Sequence, residues 1–150
     1  MSKILIYPTN SLVLADLVDR FGHEPLSIPQ EIRKKVTSAG LDSPPLNITP
    51  DDPKIGLKYA AVEVPSAVRG RMSLIGPLLE RADAAVVVSD PEATFGCMGC
   101  ARTNELVNFL IRAKKIPMLE LSYPTNDDDA RDFVYKIAEF LQSSEVLKHE

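Results

Sequence analysis

The two cysteines of the chain, Cys97 and Cys100, are three residues apart in the segment 95–100, FGCMGC. They follow the run 84–88, AAVVV, whose uniformly apolar composition is typical of a strand buried on both faces. In open α/β sheets, ligands usually bind at the loops that follow such strands. The spacing is that of a redox dithiol, of half a metal site, or of two structural thiols that only pack.

The redox interpretation depends on the charge around the thiols. The start of a helix and the nearby Arg102 both favour a thiolate over a thiol. Cys97 would then be the exposed nucleophile, and Cys100, already in the helix, would resolve the mixed disulfide. Gly96 and Gly99 flank the thiols and allow another molecule to approach closely.

The metal interpretation needs more ligands than the pair supplies. Zinc or an iron–sulfur cluster takes four protein ligands in its closed sites, and a C-x-x-C pair provides half of them. Of the two histidines, His23 belongs to the opposite edge of the predicted sheet and His149 to the end of the chain. An iron–sulfur cluster or zinc is therefore expected only if it is shared between two chains or with a partner protein.

Polar residues that start helices are expected at the same edge as the cysteines, and the positive ends of those helices suit anions. Arg69 and Arg71 would bind a phosphate or carboxylate there, unless they belong to a solvated helix face. The sequence has neither a P-loop nor a G-x-G-x-x-G after the first strand, and without a histidine at this edge a serine–histidine or cysteine–histidine hydrolase is excluded. The candidate binding residues are Ser11, Ser66, Arg69, Arg71, Arg102, Thr103 and Asn104, with Thr9 and Asn10 beside them.

Apolar runs rich in β-formers alternate with segments of helical period, which predicts an α/β fold with a parallel sheet covered on both faces. The predicted strands are 3–7, 25–28, 59–64, 84–88 and 117–121. The predicted helices are 11–22, 30–38, 66–82 with a kink or break at its Gly-Pro pair, 103–115 and 130–141. We expect a three-layer sandwich around a mostly parallel five-stranded sheet, flavodoxin-like or Rossmann-like.

The length of 150 residues predicts one α/β domain, residues 1–150. Within it, residues about 41–54 hold four prolines and no periodicity. Such a loop is a surface excursion or a lid.

A net charge of −4 and a pI near 5.2 argue against nucleic acid or an anionic membrane as the main partner. No segment reaches the roughly 18 apolar residues of a membrane span. The two closely spaced cysteines do not form a secreted disulfide framework, so we expect a cytoplasmic protein.

The segment 90–106, with its FGCMGCARTN core, resembles the methanogenesis marker proteins of the fifth type, a small archaeal family, and the opening residues 3–8 are similar too. The resemblance implies a cytoplasmic protein of methane-producing archaea, associated with the biogenesis of methyl-coenzyme M reductase or its nickel cofactor. It assigns no catalytic residues.

Two functions follow as hypotheses. The first is an accessory protein of archaeal methanogenic metabolism that uses its C-x-x-C for redox chemistry or for a shared metal, with a protein partner or as a homodimer. The second is a non-catalytic binding or scaffold module that holds an anionic metabolite or a partner protein at the same edge of the sheet.

Overall fold

A computed structural model describes residues 1–37, 51–89 and 98–147, and only the backbone of 34–37, 51, 52, 98–100 and 144. In this part of the chain one sheet of four parallel strands runs in the order β2-β1-β3-β4. Leu5, at the centre, pairs with Leu26 on one side and with Ala85 on the other. The strands are β1 (Lys3–Tyr7), β2 (Glu24–Leu26), β3 (Ala84–Val88) and β4 (Met118–Leu121).

Helices connect the strands, and the fold is therefore α/β as expected. They are α1 (Leu12–Arg20), α2 (Ile28–Thr37), α3 (Asp51–Gly56), α4 (Ser66–Arg81), α5 (Met98–Lys114), α6 (Asp127–Leu141) and α7 (Ser144–Leu147). None of the helices in the described ranges is long and apolar enough to cross a membrane.

Alternation along the strands divides the core into two layers, because successive side chains of a strand point to opposite faces. Ile4 and Ile6 pack with α1, α6 and α7 on one face of the sheet. Leu5 and Tyr7 pack with α4 and α5 on the other. Strand β3 is buried along its whole length because both layers cover it, as its apolar sequence predicts.

The predicted third strand, 59–64, is wrong, and the described sheet has four strands instead of five. Residues 57–64 form turns. The ring of Tyr59 lies against Gly76 of α4, and its hydroxyl donates to Glu80 at 3.0 Å. The β-forming residues of this segment are held by contacts with a helix, and such tertiary contacts override local strand propensity.

The proline-rich loop predicted at about 41–54 is wrong for its last residues, because α3 begins at position 51. Residues 41–50 lie outside the described part of the chain. Helix α3 packs against α4, and Gly56 lies directly beneath the backbone carbonyl of Arg69.

All five predicted helices are present, with bounds that differ from the prediction by one to five residues at one end or both. Helix α4 continues unbroken through Pro77. Helix α5 begins five residues before the predicted start at 103, and α6 begins at 127 with Asn126 as its N-cap. The earlier start of α5 places both Cys100 and Arg102 in its first turns.

Candidate functional site

The site lies where the strand order changes direction. The chain leaves β1 towards β2 on one side of the sheet and leaves β3 towards β4 on the other. In open parallel sheets a crevice forms at this point, outside the carboxyl ends of the two central strands. Cys97 belongs to the connection between Val88, which ends β3, and Met98, which begins α5, and Cys100 belongs to α5 itself. We call the edge formed by the strand ends Tyr7, Leu26, Val88 and Leu121 the carboxyl edge.

The start of α5 contains one of the two cysteines. Cys100 is the third residue of this helix, while Cys97 lies outside the described residues. The first turn of α5 contains no acidic residue. Free backbone amides and the positive end of the helix dipole at such a position stabilise a thiolate relative to a thiol.

A hydrogen bond connects the crevice to the same helix. The Tyr7 hydroxyl, at the end of β1, donates to the side-chain carbonyl oxygen of Asn104 in α5. Thr103, one residue earlier, is buried. Because positions three, four and seven residues apart share a helix face, position 100 belongs to the same face of α5 as Thr103, Asn104 and Val107. Two of the predicted binding residues, Thr103 and Asn104, are therefore on the face that looks towards the sheet.

Arg102 has a partner of its own. Its Nη1 atom lies 2.8 Å from Oε2 of Glu105, one turn along α5, and both side chains are more than half exposed. The guanidinium is thus shared with a carboxylate, which offsets part of the positive charge that the sequence places beside the thiols.

Ser11 and Thr9 accept hydrogen bonds from backbone amides in the structure. The Ser11 hydroxyl accepts a hydrogen bond from the amide of Leu14 at 3.3 Å, which caps α1. The carbonyl of the buried Thr9 accepts from the amide of Ile28 at 2.9 Å. These contacts shape the carboxyl edge beside β1, where Asn10 is exposed.

The residues predicted on α4 do not converge. Arg69 Nε donates to the carbonyl of Val64 at 3.1 Å, and its Nη1 donates to that of Pro53 at 3.4 Å. Ser66 is exposed in the first turn, and the N-cap Pro65 makes no side-chain capping bond. Arg71, half-buried, is two residues beyond Arg69 and so points about 200° away around the helix. Arg69 therefore holds α3 and the turn before α4 in place.

A groove between α4 and α5 was missed by the sequence reasoning. Its volume is about 520 Å³. Phe109 is 65% exposed at one end of it, although the neighbouring outward positions of α5 are charged. The signal in the sequence was an aromatic residue, Phe109, four residues after Glu105 and seven after Arg102. The groove is lined by Glu63, Val64, Pro65, Val68, Arg102, Glu105, Leu106 and Phe109.

An ion pair links α5 to β4. Glu120 of β4 accepts a hydrogen bond from the Ser89 hydroxyl at 2.9 Å, and Arg112 Nη2 lies 3.1 Å from its other carboxylate oxygen. These two contacts, the serine first, hold the pKa of Glu120 below its ordinary value. No group of three or more metal-binding side chains occurs in residues 1–37, 51–89 and 98–147.

Comparison with known proteins identifies the lineage. Residues 2–144 match a family described as an uncharacterized protein conserved in archaea, DUF2112. The chain belongs to this archaeal family. It is 59% identical over 145 residues, 97% of each chain, to the uncharacterized protein MJ0404 of Methanocaldococcus jannaschii. No solved structure matches it.

Proposed function

We propose that this member of the archaeal family is an accessory protein that carries out thiol–disulfide exchange with its C-x-x-C pair. The observation that carries the proposal is the position of Cys100 in the first turn of α5, the helix that follows β3 at the change of direction of the strand order. A thiolate placed there is stabilised by the helix start, and the crevice gives a second molecule access to it.

The exchange needs a disulfide as co-reactant. The Cys97 thiolate attacks one sulfur of a substrate disulfide R–S–S–R′, which forms a protein–S–S–R bond and releases R′S⁻. The Cys100 thiolate then attacks the sulfur of Cys97, releases RS⁻ and leaves a Cys97–Cys100 disulfide. The substrate gains two electrons and the protein loses two.

The same pair would supply half of a metal site. Two chains, or one chain and a partner protein, would together provide the four thiolates of a zinc or iron–sulfur site. The C-x-x-C pair alone supplies only two of those four ligands. A metal at Cys97 and Cys100 would therefore be held between two molecules.

The second candidate function is a binding or scaffold module, and the groove between α4 and α5 favours it. Its described lining is mainly apolar and comes from the turn before α4, from α4 and from α5. Arg102, the cationic side chain among these described residues, is paired with Glu105. A partner protein fits this lining better than the anionic metabolite that the sequence suggests.

The resemblance of segment 90–106 and the archaeal family favour a place in methanogenic metabolism, close to the biogenesis of methyl-coenzyme M reductase, and a cytoplasmic location. We also propose a flavodoxin-like arrangement. The order β2-β1-β3-β4 is that of the first four strands of the flavodoxin-like order 2-1-3-4-5.

The first experiment is thiol and metal analysis of protein purified without oxygen. We expect metal-free protein whose two thiols react quickly with the small disulfide 5,5′-dithiobis(2-nitrobenzoate) and close an internal disulfide. The Cys100→Ser variant should stop at the mixed disulfide, and the Cys97→Ser variant should react far more slowly, because it lacks the attacking thiolate.

The alternatives give different results. Roughly half a zinc or iron atom or more per chain, lost in both variants, would replace redox chemistry by a shared metal site. Slow reaction of both thiols in metal-free protein would contradict the thiol function and leave the binding module.

A further inference from the structure

We propose that the groove between α4 and α5 binds a segment of a partner protein in which apolar residues stand next to a basic residue. This partner carries the disulfide on which the C-x-x-C pair acts. The inference rests on the proposed thiol function and names the substrate class of that site. It is carried by the position, the lining and the charge of the groove.

The groove starts, along the axis of α5, close to the level of position 100. Each residue of a helix advances about 1.5 Å, so Arg102 lies only about 3 Å beyond position 100 along the axis of α5, and Phe109 about 13.5 Å beyond it. A bound segment of about four extended residues would run from Phe109 to the first turn of α5. A cysteine at the end of such a segment would reach the C-x-x-C pair.

The lining is suited to a protein side chain. Val64, Pro65, Val68, Leu106 and Phe109 form an apolar surface. Phe109 is 65% exposed, so the groove is open to solvent along the outside of α5. A small molecule is usually enclosed by its pocket and oriented by several polar groups, whereas an exposed aromatic beside an apolar trough is typical of a protein-binding anchor.

The charges of the groove select a basic partner. Among the described residues that line the groove, two carboxylates, Glu63 and Glu105, and one guanidinium, Arg102, sum to a net charge of −1. Arg102 and Glu105 neutralise each other at 2.8 Å, which leaves the charge of Glu63 at the rim. A lysine or arginine beside the apolar segment would complement it, and an acidic residue would be repelled.

The experiment compares a peptide disulfide with a small one. The probe is a peptide with an apolar stretch and one arginine before its only cysteine, blocked as a mixed disulfide with 5-thio-2-nitrobenzoate. Release of the coloured thiolate measures its exchange with the reduced protein, and 5,5′-dithiobis(2-nitrobenzoate) reports the same chemistry without a peptide. Phe109→Ser is tested beside Tyr135→Ser, which removes an aromatic of equal exposure, 67%, from α6 on the opposite face of the sheet.

We expect Phe109→Ser to slow exchange with the peptide on the order of tenfold and to leave the small disulfide unaffected. Tyr135→Ser should change neither rate. A peptide with glutamate in place of arginine should react more slowly with the unchanged protein, and Glu63→Gln should reduce that preference.

The two levels of the proposal fail differently. If the unchanged protein does not react with the small disulfide, the thiol function itself is wrong. If it does react, but Phe109→Ser and Tyr135→Ser exchange with the peptide equally fast, the groove is not the docking site. Circular dichroism of both variants verifies that they are folded, which is expected because both side chains are exposed.

Discussion

Lys114 illustrates how a single side chain joins two helices. Its ammonium group, at the end of α5, donates to the carbonyls of Leu79, Glu80 and Ala82 at 2.7, 2.8 and 2.6 Å. The last carbonyls of a helix have no hydrogen-bond donor within that helix. At the end of α4, a lysine from the neighbouring helix α5 is the donor. Burial lowers the pKa of Lys114, against the opposing effect of Asp83 and Glu80.

The Ser89–Glu120 hydrogen bond predicts a pH dependence. The pKa of Glu120 is lowered from 4.5 in the folded protein, so its contribution to stability is complete above that pH. The contribution is lost as the pH falls below 4.5 through the lower folded pKa. Ser89→Ala removes the larger cause and should lower the free energy of unfolding at neutral pH by a few tenths to about 1 kcal/mol, since the carboxylate is partly exposed.

Urea unfolding from pH 7 down to acid measures this effect. The difference between the unchanged protein and Ser89→Ala should shrink as the pH falls. In a Glu120→Gln background the same serine substitution should have no pH-dependent effect. An equal difference at every pH would show that Ser89 acts through packing and not through the carboxylate.

At the scale of elements, helices α3 and α4 pack closely against each other. A Cβ atom added at Gly56 would overlap the carbonyl oxygen of Arg69, and one added at Gly76 would overlap the ring of Tyr59. The side-chain hydroxyl of Tyr59 also bonds Glu80, and Lys58 Nζ lies 2.6 Å from the same carboxylate. Helix α3 and the following turn are therefore fixed to α4 by steric fit and by one carboxylate.

Gly76→Ala should destabilise the protein by about 1–3 kcal/mol, because the ring of Tyr59 has to move. Thermal or urea unfolding measures the loss. Tyr59→Leu alone loses a hydrogen bond, but it removes the obstructing ring edge. The double variant should therefore be less destabilised than the sum of the two single ones, and strict additivity would contradict the overlap.

The sequence predicted best those elements whose pattern is local. The run AAVVV identifies β3, and Asn126 with three aspartates after it explains the start of α6. The segment 59–64 has strand-forming residues, but the ring of Tyr59 packs against Gly76 of α4, which is distant in sequence. The prediction also begins α5 at 103, five residues after its observed start at position 98.

The same distinction between local and long-range signals applies to the candidate site. The position of the C-x-x-C pair after β3 and beside the start of a helix followed from the alternation of elements. The carbonyl partners of Arg69 and the groove at Phe109 depend on how α4 lies against α3 and α5, which no local pattern contains.

At the scale of the whole molecule, Ser2, just before β1, contacts α7 at the edge of the sheet opposite the carboxyl edge. The buried Ser2 hydroxyl donates to the carbonyl of Val146 in α7 at 2.7 Å. His23 Nε2 lies 2.9 Å from the carbonyl oxygen of Leu141, an atom that only accepts, so the ring carries its proton on Nε2. These two bonds hold the end of α6 and all of α7 against β1 and β2.

Ser2→Ala should lower the free energy of unfolding by about 1–2 kcal/mol, because the carbonyl of Val146 is left buried and unpaired. Hydrogen exchange should accelerate mainly in residues 144–147. Ser66→Ala, at an exposed serine, is the control and should leave both quantities unchanged. Uniform acceleration across the sheet would indicate that α7 is not a separate unit.

The central place of β1 has a consequence for synthesis. Ile4 pairs with Ala84, and its apolar layer is completed by Ile137 and Leu141. When only the residues up to β2 have been synthesised, β1 therefore lacks β3, its neighbour on the other side of the sheet. Contacts so distant in sequence form late, and apolar surface stays uncovered until then. We therefore expect Ile4 and Ile6 to stay uncovered until Ile137 and Leu141 have been synthesised.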